Sequence, residues 1–149
     1  MKNKTSNVIV FIWIPLMCVV HVVLFRNKVD SDIPMSKKIM LAILGLVAML
    51  ILHELIHLLV MIIFGMKNPR LEIDRDSFGI PSLKASAEGV VMKWQEIIIY
   101  AAPFLLLSVI PDIIFLSSDK VAFIFLVVSI CNATGSCFDI ADIVEVCRD

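Results

Sequence analysis

The chain has 149 residues, 60% of them hydrophobic, and a mean hydropathy of +0.97. Soluble domains are only about half apolar, so this composition excludes an ordinary soluble protein and predicts an integral membrane protein. A net charge of −1 predicts no nucleic-acid partner, and four cysteines without a CxxC pair predict neither a disulfide framework nor a cysteine zinc site. The length favours a single domain, residues 1–149.

Four apolar segments predict four transmembrane helices, so the expected fold is an all-α membrane protein. The spans cover about residues 7–25, 38–64, 96–116 and 120–141. Each is close to the roughly 20 residues that a helix needs to cross the hydrocarbon core. Lysines precede the first span, as in a signal peptide, but its apolar run is longer than a signal h-region and no A-x-A-like cleavage site follows. We therefore expect a retained helix.

Basic residues predict the orientation of these helices. Eight lysines and arginines lie in the N-terminus, the 65–95 loop and the C-terminus, against five in the other two loops. Because cytoplasmic loops carry an excess of Lys and Arg, both termini and the 65–95 loop are predicted to be cytoplasmic. The expected location is the cell membrane, as a multi-pass protein surrounded by membrane lipid.

A polar insert, residues 65–95, separates the second span from the third. Its RLEID stretch alternates apolar and polar side chains. Asp76, Gly79 and Pro81 are turn-forming residues that follow this stretch. These features predict a short β-hairpin, and an unstructured loop is the alternative.

The second span contains the sequence HELIH, which has the HExxH spacing of zinc peptidases. On a helix, His53 and His57 project from one face one turn apart, so their imidazole nitrogens can reach one Zn²⁺ ion. Glu54 lies beside the first histidine, where it can act as the general base on a zinc-bound water. Ionisable residues inside a span are costly and are functional candidates. The alternative is a pair of hydrogen-bonded core histidines with a neutralised glutamate.

A catalytic zinc needs a third protein ligand and one open position. Asp139 and Asp142 follow the apolar run of the fourth span, which should bring Asp139 to the depth of the two histidines. Asp139 is the predicted ligand because it lies deeper. Asp142 stays an alternative, Cys137 is a weaker candidate, and a solvated helix end is the non-functional interpretation. His21 is predicted to be a hydrogen-bonded packing residue.

Other polar residues and prolines have simpler interpretations. Asn132 lies about two helical turns before Asp139, where its amide can orient a substrate carbonyl or an oxyanion. A hydrogen bond between helices is the alternative for Asn132. Pro103 and Pro111 should interrupt or kink the third span as packing features. Asp112, near the outer end of that span, is predicted to be solvated.

Taken together, these residues resemble the intramembrane metalloprotease core of the site-2 protease clan. The chain is more closely similar to a family of small membrane proteins described as zincin peptidases of unknown function. HELIH, AAPFLL and NATGSCFDI carry this resemblance, which covers nearly the whole chain. Site-2 proteases usually place prolines between the Asn and a following Asp-Gly. Here Ile140 follows Asp139 and no proline intervenes.

The resemblance implies zinc bound by His53, His57 and Asp139, with Glu54 as the base. It also implies that the insert presents strand edges to an extended substrate. The predicted function is an integral membrane zinc metalloprotease that hydrolyses peptide bonds in a peptide or membrane protein, within or next to the membrane. The alternative is a non-proteolytic membrane protein, either a metal-stabilised helix bundle or an immunity-type interaction partner. A transporter is disfavoured because the ionisable groups cluster at one site rather than along a route.

Overall fold

Apolar helices make up most of the structure, a computed structural model that describes residues 2–25, 27, 33–75, 81–117 and 122–148. A two-stranded antiparallel sheet lies between the second and third helices. A π-helical turn, Leu105–Val109, joins the third helix to the fourth. The helices are α1 (Lys2–Phe25), α2 (Met35–Ile63), α3 (Lys93–Phe104), α4 (Ile110–Leu116), α5 (Phe123–Gly135) and α6 (Cys137–Arg148), and the strands are β1 (Lys67–Arg75) and β2 (Pro81–Glu88).

Three helical segments of the described chain are long and apolar enough to cross a membrane. They are Met35–Ile63, Lys93–Leu116 and Phe123–Arg148, with mean hydropathies of 2.5, 2.2 and 1.7. These segments correspond to the second, third and fourth predicted spans and are compatible with a membrane protein. The predicted start of the last span, Lys120, lies outside the described residues.

The first predicted span is also helical, as part of α1. Its described apolar part, Phe11–Phe25, is shorter than the other three segments. The count of four spans therefore stays a prediction, as does the single domain. Trp13 of α1 donates a hydrogen bond from Nε1 to the Ala133 carbonyl at 2.6 Å, which ties this helix to α5.

The polar insert forms the β-hairpin that its alternating pattern predicted, so the fold is not purely helical. Leu71 lies opposite Ala85, and Ile73 lies opposite Leu83. Pro81 opens β2. The two other predicted turn residues, Asp76 and Gly79, lie outside the part of the chain that the structure describes.

A glycine ends α2 shortly after the HExxH motif. Gly65 has a φ of +70°, a left-handed conformation that costs little only in the absence of Cβ. The N–H of Met66 then reaches back to the Met61 carbonyl at 3.1 Å. Because the chain reverses here, β1 begins directly beyond α2 and the hairpin lies against the helix.

The helices pack around α2 and α5. α2 contacts α3 and α5, while α1 and α3 contact α6. Gly45 allows the close approach of α2 to α5, since a Cβ there would lie 3.2 Å from Val127 Cγ1. On α5 the buried face is polar: Ser129 and Asn132 are 1% and 0% exposed. This contact brings the HExxH helix against a polar stripe.

Candidate metal centre

His53, His57 and Asp139 converge where α2 approaches the first turn of α6. Nε2 of His53 lies 3.2 Å from Nε2 of His57 and 3.0 Å from Asp139 Oδ2. Nε2 of His57 lies 3.5 Å from Asp139 Oδ1. The three side chains are 13%, 8% and 14% exposed. The structure thus brings together the three residues predicted as metal ligands, and their binding of an ion stays a prediction.

Hydrogen bonds within the protein fix Nδ1 of each histidine, the ring nitrogen that does not face Asp139. Nδ1 of His53 lies 2.9 Å from Asn132 Oδ1, and Nδ1 of His57 lies 2.8 Å from the Ile99 carbonyl oxygen. Amide and carbonyl oxygens only accept hydrogen bonds, so each Nδ1 carries the proton and donates it. In the neutral ring each Nε2 then presents a lone pair to the other histidine and to Asp139.

This donor set fits a divalent cation such as zinc. Two nitrogen lone pairs and a carboxylate that face one another need a positive charge between them. Two nitrogens that are each about 2.05 Å from a tetrahedral zinc lie about 3.3 Å apart, close to the separation seen here. Asp139 Oδ2 is buried and has no hydrogen-bond partner among the described residues. Nε2 of His53 lies 3.0 Å from Oδ2 and carries no proton when the ring is neutral, and in that form Oδ2 is available to a metal.

Glu54 is held beside the two histidines by the hairpin. Its Oε2 accepts a hydrogen bond from the backbone N–H of Ala85 in β2 at 2.8 Å. Ala85 is buried, at 6% exposure. Sequence reasoning missed this contact because an alanine backbone amide has no distinguishing side chain. The alternation in the insert pointed to the hairpin but not to the helix that it would meet.

Asn132 is fully buried, and its hydrogen-bonding groups are engaged within the protein. Nδ2 donates to the Pro103 carbonyl and to Ser108 Oγ, both at 2.9 Å, while Oδ1 accepts from His53. Of the two roles that the sequence left open, this geometry favours the hydrogen bond between helices. A direct role for Asn132 on the substrate stays a prediction.

Asp142, the alternative ligand, lines a polar cleft of about 410 Å³. The cleft lies between β2, α3 and α6, and its other lining residues are Lys84, Lys93, Glu96, Tyr100, Glu145 and Val146. The Tyr100 ring meets the His57 ring edge-on at a centroid distance of 6.4 Å. The cleft therefore opens beside the metal centre, with Asp142 on its wall and Asp139 at the histidines.

His21 belongs to a second buried polar cluster, which joins α1, α4 and α5. Its Nε2 lies 3.0 Å from Asp112 Oδ2 and 3.1 Å from Ser129 Oγ, and its Nδ1 bonds the Met17 carbonyl at 2.8 Å. Ser129 Oγ also donates to Asp112 Oδ1 at 2.7 Å. The prediction of a hydrogen-bonded packing histidine is confirmed.

The prediction of a solvated Asp112 is wrong. Its side chain is only 15% exposed. Position near the end of a span suggested contact with water, but histidine and serine side chains from two other helices satisfy the carboxylate. Partners on other helices cannot be recognised from the sequence around Asp112.

The fold and the site together define a class: helical proteins that place an HExxH helix against an aspartate from a later helix. The chain belongs to the family described as "Putative zincin peptidase", whose sequence model matches residues 46–149. The predicted relation to this family is confirmed, and membership indicates a zinc-dependent metallopeptidase. The matched region includes the whole metal centre and the hairpin. No curated protein and no solved structure gives a significant match to the chain.

Proposed function

We propose that this protein is an integral membrane zinc metalloprotease that hydrolyses peptide bonds within or next to the membrane. The observation that carries the proposal is the convergence of Asp139 from α6 with His53 and His57, which lie on an apolar helix long enough to cross a membrane. Membership of the zincin family supports the peptidase activity. The order of elements (an HExxH helix, a polar insert, a helix, and a last helix with the aspartate) supports a relation to the site-2 protease clan.

His53, His57 and Asp139 are the residues that would hold the zinc. Three protein ligands leave one position open, as a catalytic rather than a purely structural site requires. When bound, zinc supplies Lewis acidity, which polarises the scissile carbonyl and makes water a better nucleophile near neutral pH. The buried Nδ1 hydrogen bonds of the two histidines keep both Nε2 atoms directed at the place where the zinc would bind.

Glu54 is the proposed general base. The Ala85 amide holds its Oε2, and Oε1 is the oxygen that we propose takes a proton from water. The oxygen of that water bonds to the scissile carbonyl carbon. When the carbon–nitrogen bond breaks, the protonated Glu54 carboxyl returns its proton to the leaving amine. No other proton donor is needed for hydrolysis.

The proposed substrate is an extended segment of a peptide or membrane protein. In a two-stranded sheet, alternate residues of each strand direct their N–H groups away from the partner strand. Ala85 N–H points to Glu54, which supports placing this edge of β2 beside the reacting bond. A substrate strand added along β2 would be held by backbone hydrogen bonds, largely independent of its side chains. The polar cleft beside the histidines offers a route for water.

We propose a multi-pass location in the cell membrane, with the hairpin and both termini in the cytoplasm. The excess of basic residues in these segments, eight against five, supports this orientation. A fluorescent protein fused to the C-terminus should fluoresce, whereas alkaline phosphatase fused there should be inactive. The opposite pattern would show that the C-terminus is outside.

Zinc analysis of the purified full-length protein tests the metal site. Wild-type protein should contain stoichiometric zinc, and His53→Ala should lose it because one of three ligands is gone. His21→Asn is the matched control, since it replaces the one histidine outside the centre and should keep the metal. Circular dichroism checks that each variant is folded. Wild-type protein that takes up no zinc would refute the proposal.

A further inference from the structure

Both histidines of the metal centre depend on one interrupted segment of helix for their orientation, His57 directly and His53 through Asn132 of α5. His57 bonds the Ile99 carbonyl of α3 directly. His53 bonds Asn132, whose amide nitrogen bonds the Pro103 carbonyl and the Ser108 hydroxyl. The regular α-helix ends at Phe104, and the π-helical turn follows at once. The orientation of the two ligands therefore depends on an irregular stretch of backbone.

Pro103 explains why the Ile99 carbonyl is available to His57. In a regular helix this carbonyl would accept the N–H of residue 103, but proline has none and its ring pushes against that carbonyl. His57 supplies the missing donor at 2.8 Å. Ile99 and His57 are 4% and 6% exposed, so water is a poor substitute for the histidine. The proline thus creates an acceptor at the place where His57 needs one.

Ser108 has the corresponding role for His53, which it influences through Asn132. It is 1% exposed and lies within the π-helical turn, which contacts α5. Its hydroxyl accepts from Asn132 Nδ2 and donates to the Ser129 carbonyl, both at 2.9 Å. With the Pro103 carbonyl as a second acceptor, the Asn132 nitrogen is fixed on this side and Oδ1 must face His53. π-Helical turns are frequent at functional sites, where they change which side chains face a neighbour.

We propose that Pro103 and Ser108 are positioning residues for the zinc ligands. Pro103 sets the tautomer and ring orientation of His57, and Ser108 sets those of His53 through Asn132. The proposal rests on the zinc site proposed above and extends it to two residues outside the HExxH motif. Groups that hold the second nitrogen of a ligating histidine commonly affect metal affinity by about 10–100-fold.

Zinc affinity of the full-length protein in detergent, measured by competition with a chelator, provides the first test. Pro103→Ala and Ser108→Ala should each weaken zinc binding about 10-fold, at the lower end of that range. The first change still leaves the Ile99 carbonyl beside His57, and the second still leaves the Pro103 carbonyl as an acceptor for Asn132. Pro111→Ala and Ser117→Ala are the matched controls. They make the same changes in α4 and at the residue that caps its C-terminal end, away from the centre, and should bind zinc like wild type.

The histidine tautomers in metal-free protein, read by ¹⁵N NMR, provide the second test. Wild type should show the proton on Nδ1 of both histidines. Pro103→Ala should mix the tautomers at His57 alone, and Ser108→Ala at His53 alone, a selectivity that general loosening of the fold would not produce. Wild-type affinity and tautomers in both variants would overturn the inference. If wild type binds no zinc, the proposed function fails, and the tautomers alone decide this inference.

Discussion

Replacing Glu54 with Gln should slow peptide-bond hydrolysis by about 10²–10⁴-fold and leave zinc bound. Glutamine has nearly the same size, and its amide oxygen can still accept the Ala85 N–H, but it cannot take a proton from water. Positioned general bases contribute about 10²–10⁴-fold to rate, so a loss of that order is expected. The measurement compares new peptide N-termini, identified by mass spectrometry, in membranes that contain wild-type or Glu54→Gln protein.

The control for this experiment is Glu88→Gln. Glu88 lies on the exposed surface of the hairpin, where it meets Asn68 and Arg70, so its loss should change neither cleavage nor zinc content. If the Glu54→Gln protein keeps its zinc and still performs the cellular role of the wild-type protein, that role does not depend on proteolysis, which would contradict the proposed function. That result would favour the non-proteolytic alternative, in which the motif stabilises a helix bundle or serves an interaction.

Cleavage and metal binding should respond separately to mutation because different elements position Glu54 and the zinc ligands. The histidines are oriented by hydrogen bonds to two other helices, through Ile99 of α3 and Asn132 of α5. Glu54 is instead oriented by a hydrogen bond from the hairpin. A change at Glu54 therefore disturbs contacts with β2 and not those that orient the ligands. A change at Asn132 should do the reverse.

Periodic features of the sequence predicted much of the architecture. Apolar length predicted the three membrane-length helical segments, alternation predicted the hairpin, and the spacing of His53 and His57 placed both rings on one face of α2. Asp139 was selected by its depth in the last span, and the structure brings it to the histidines. The first three inferences depend on regular geometry within one element, which the order of residues determines, and the choice of Asp139 depends on comparing the depths of two spans.

The features that were missed depend on how elements meet. Neither the Ala85 amide against Glu54 nor the Asp112 carboxylate against His21 has a signal in its own segment. Two weaker signals were present. A proline inside a span implies a carbonyl four residues earlier in need of a donor. The spacing of Ser129, Asn132 and Ser136 places three small or polar residues on one face of a helix, and all three are buried.

That polar face links the metal centre to the cluster around His21. Ser129 bonds Asp112 and His21 through its side chain and Ser108 through its carbonyl. Ser108 in turn bonds Asn132, which bonds His53. A series of hydrogen-bonded residues thus connects α1 to the metal centre. In a lipid environment polar side chains have little water to bond. Hydrogen-bond partners on other helices therefore help to specify how the helices pack.

Asp139→Ala should remove zinc binding, whereas Asp142→Ala should preserve it. The first change leaves two neutral histidines with no anionic ligand, and we expect a loss larger than the roughly 100-fold upper range for groups outside the coordination shell. Asp142 has the same functional group on the same helix but lies on the wall of the polar cleft. Competition with a chelator of known affinity measures both variants under the same conditions.

Asp139→Asn separates the effect of charge from that of shape. It keeps the size of the side chain and one carbonyl oxygen near the histidines, so it should bind zinc more weakly than wild type and more tightly than Asp139→Ala. Loss of zinc in Asp142→Ala with retention in Asp139→Ala would show that the third ligand is misassigned. Equal retention in both would mean that the two histidines need no aspartate, and the orphaned Asp139 Oδ2 would then require another explanation.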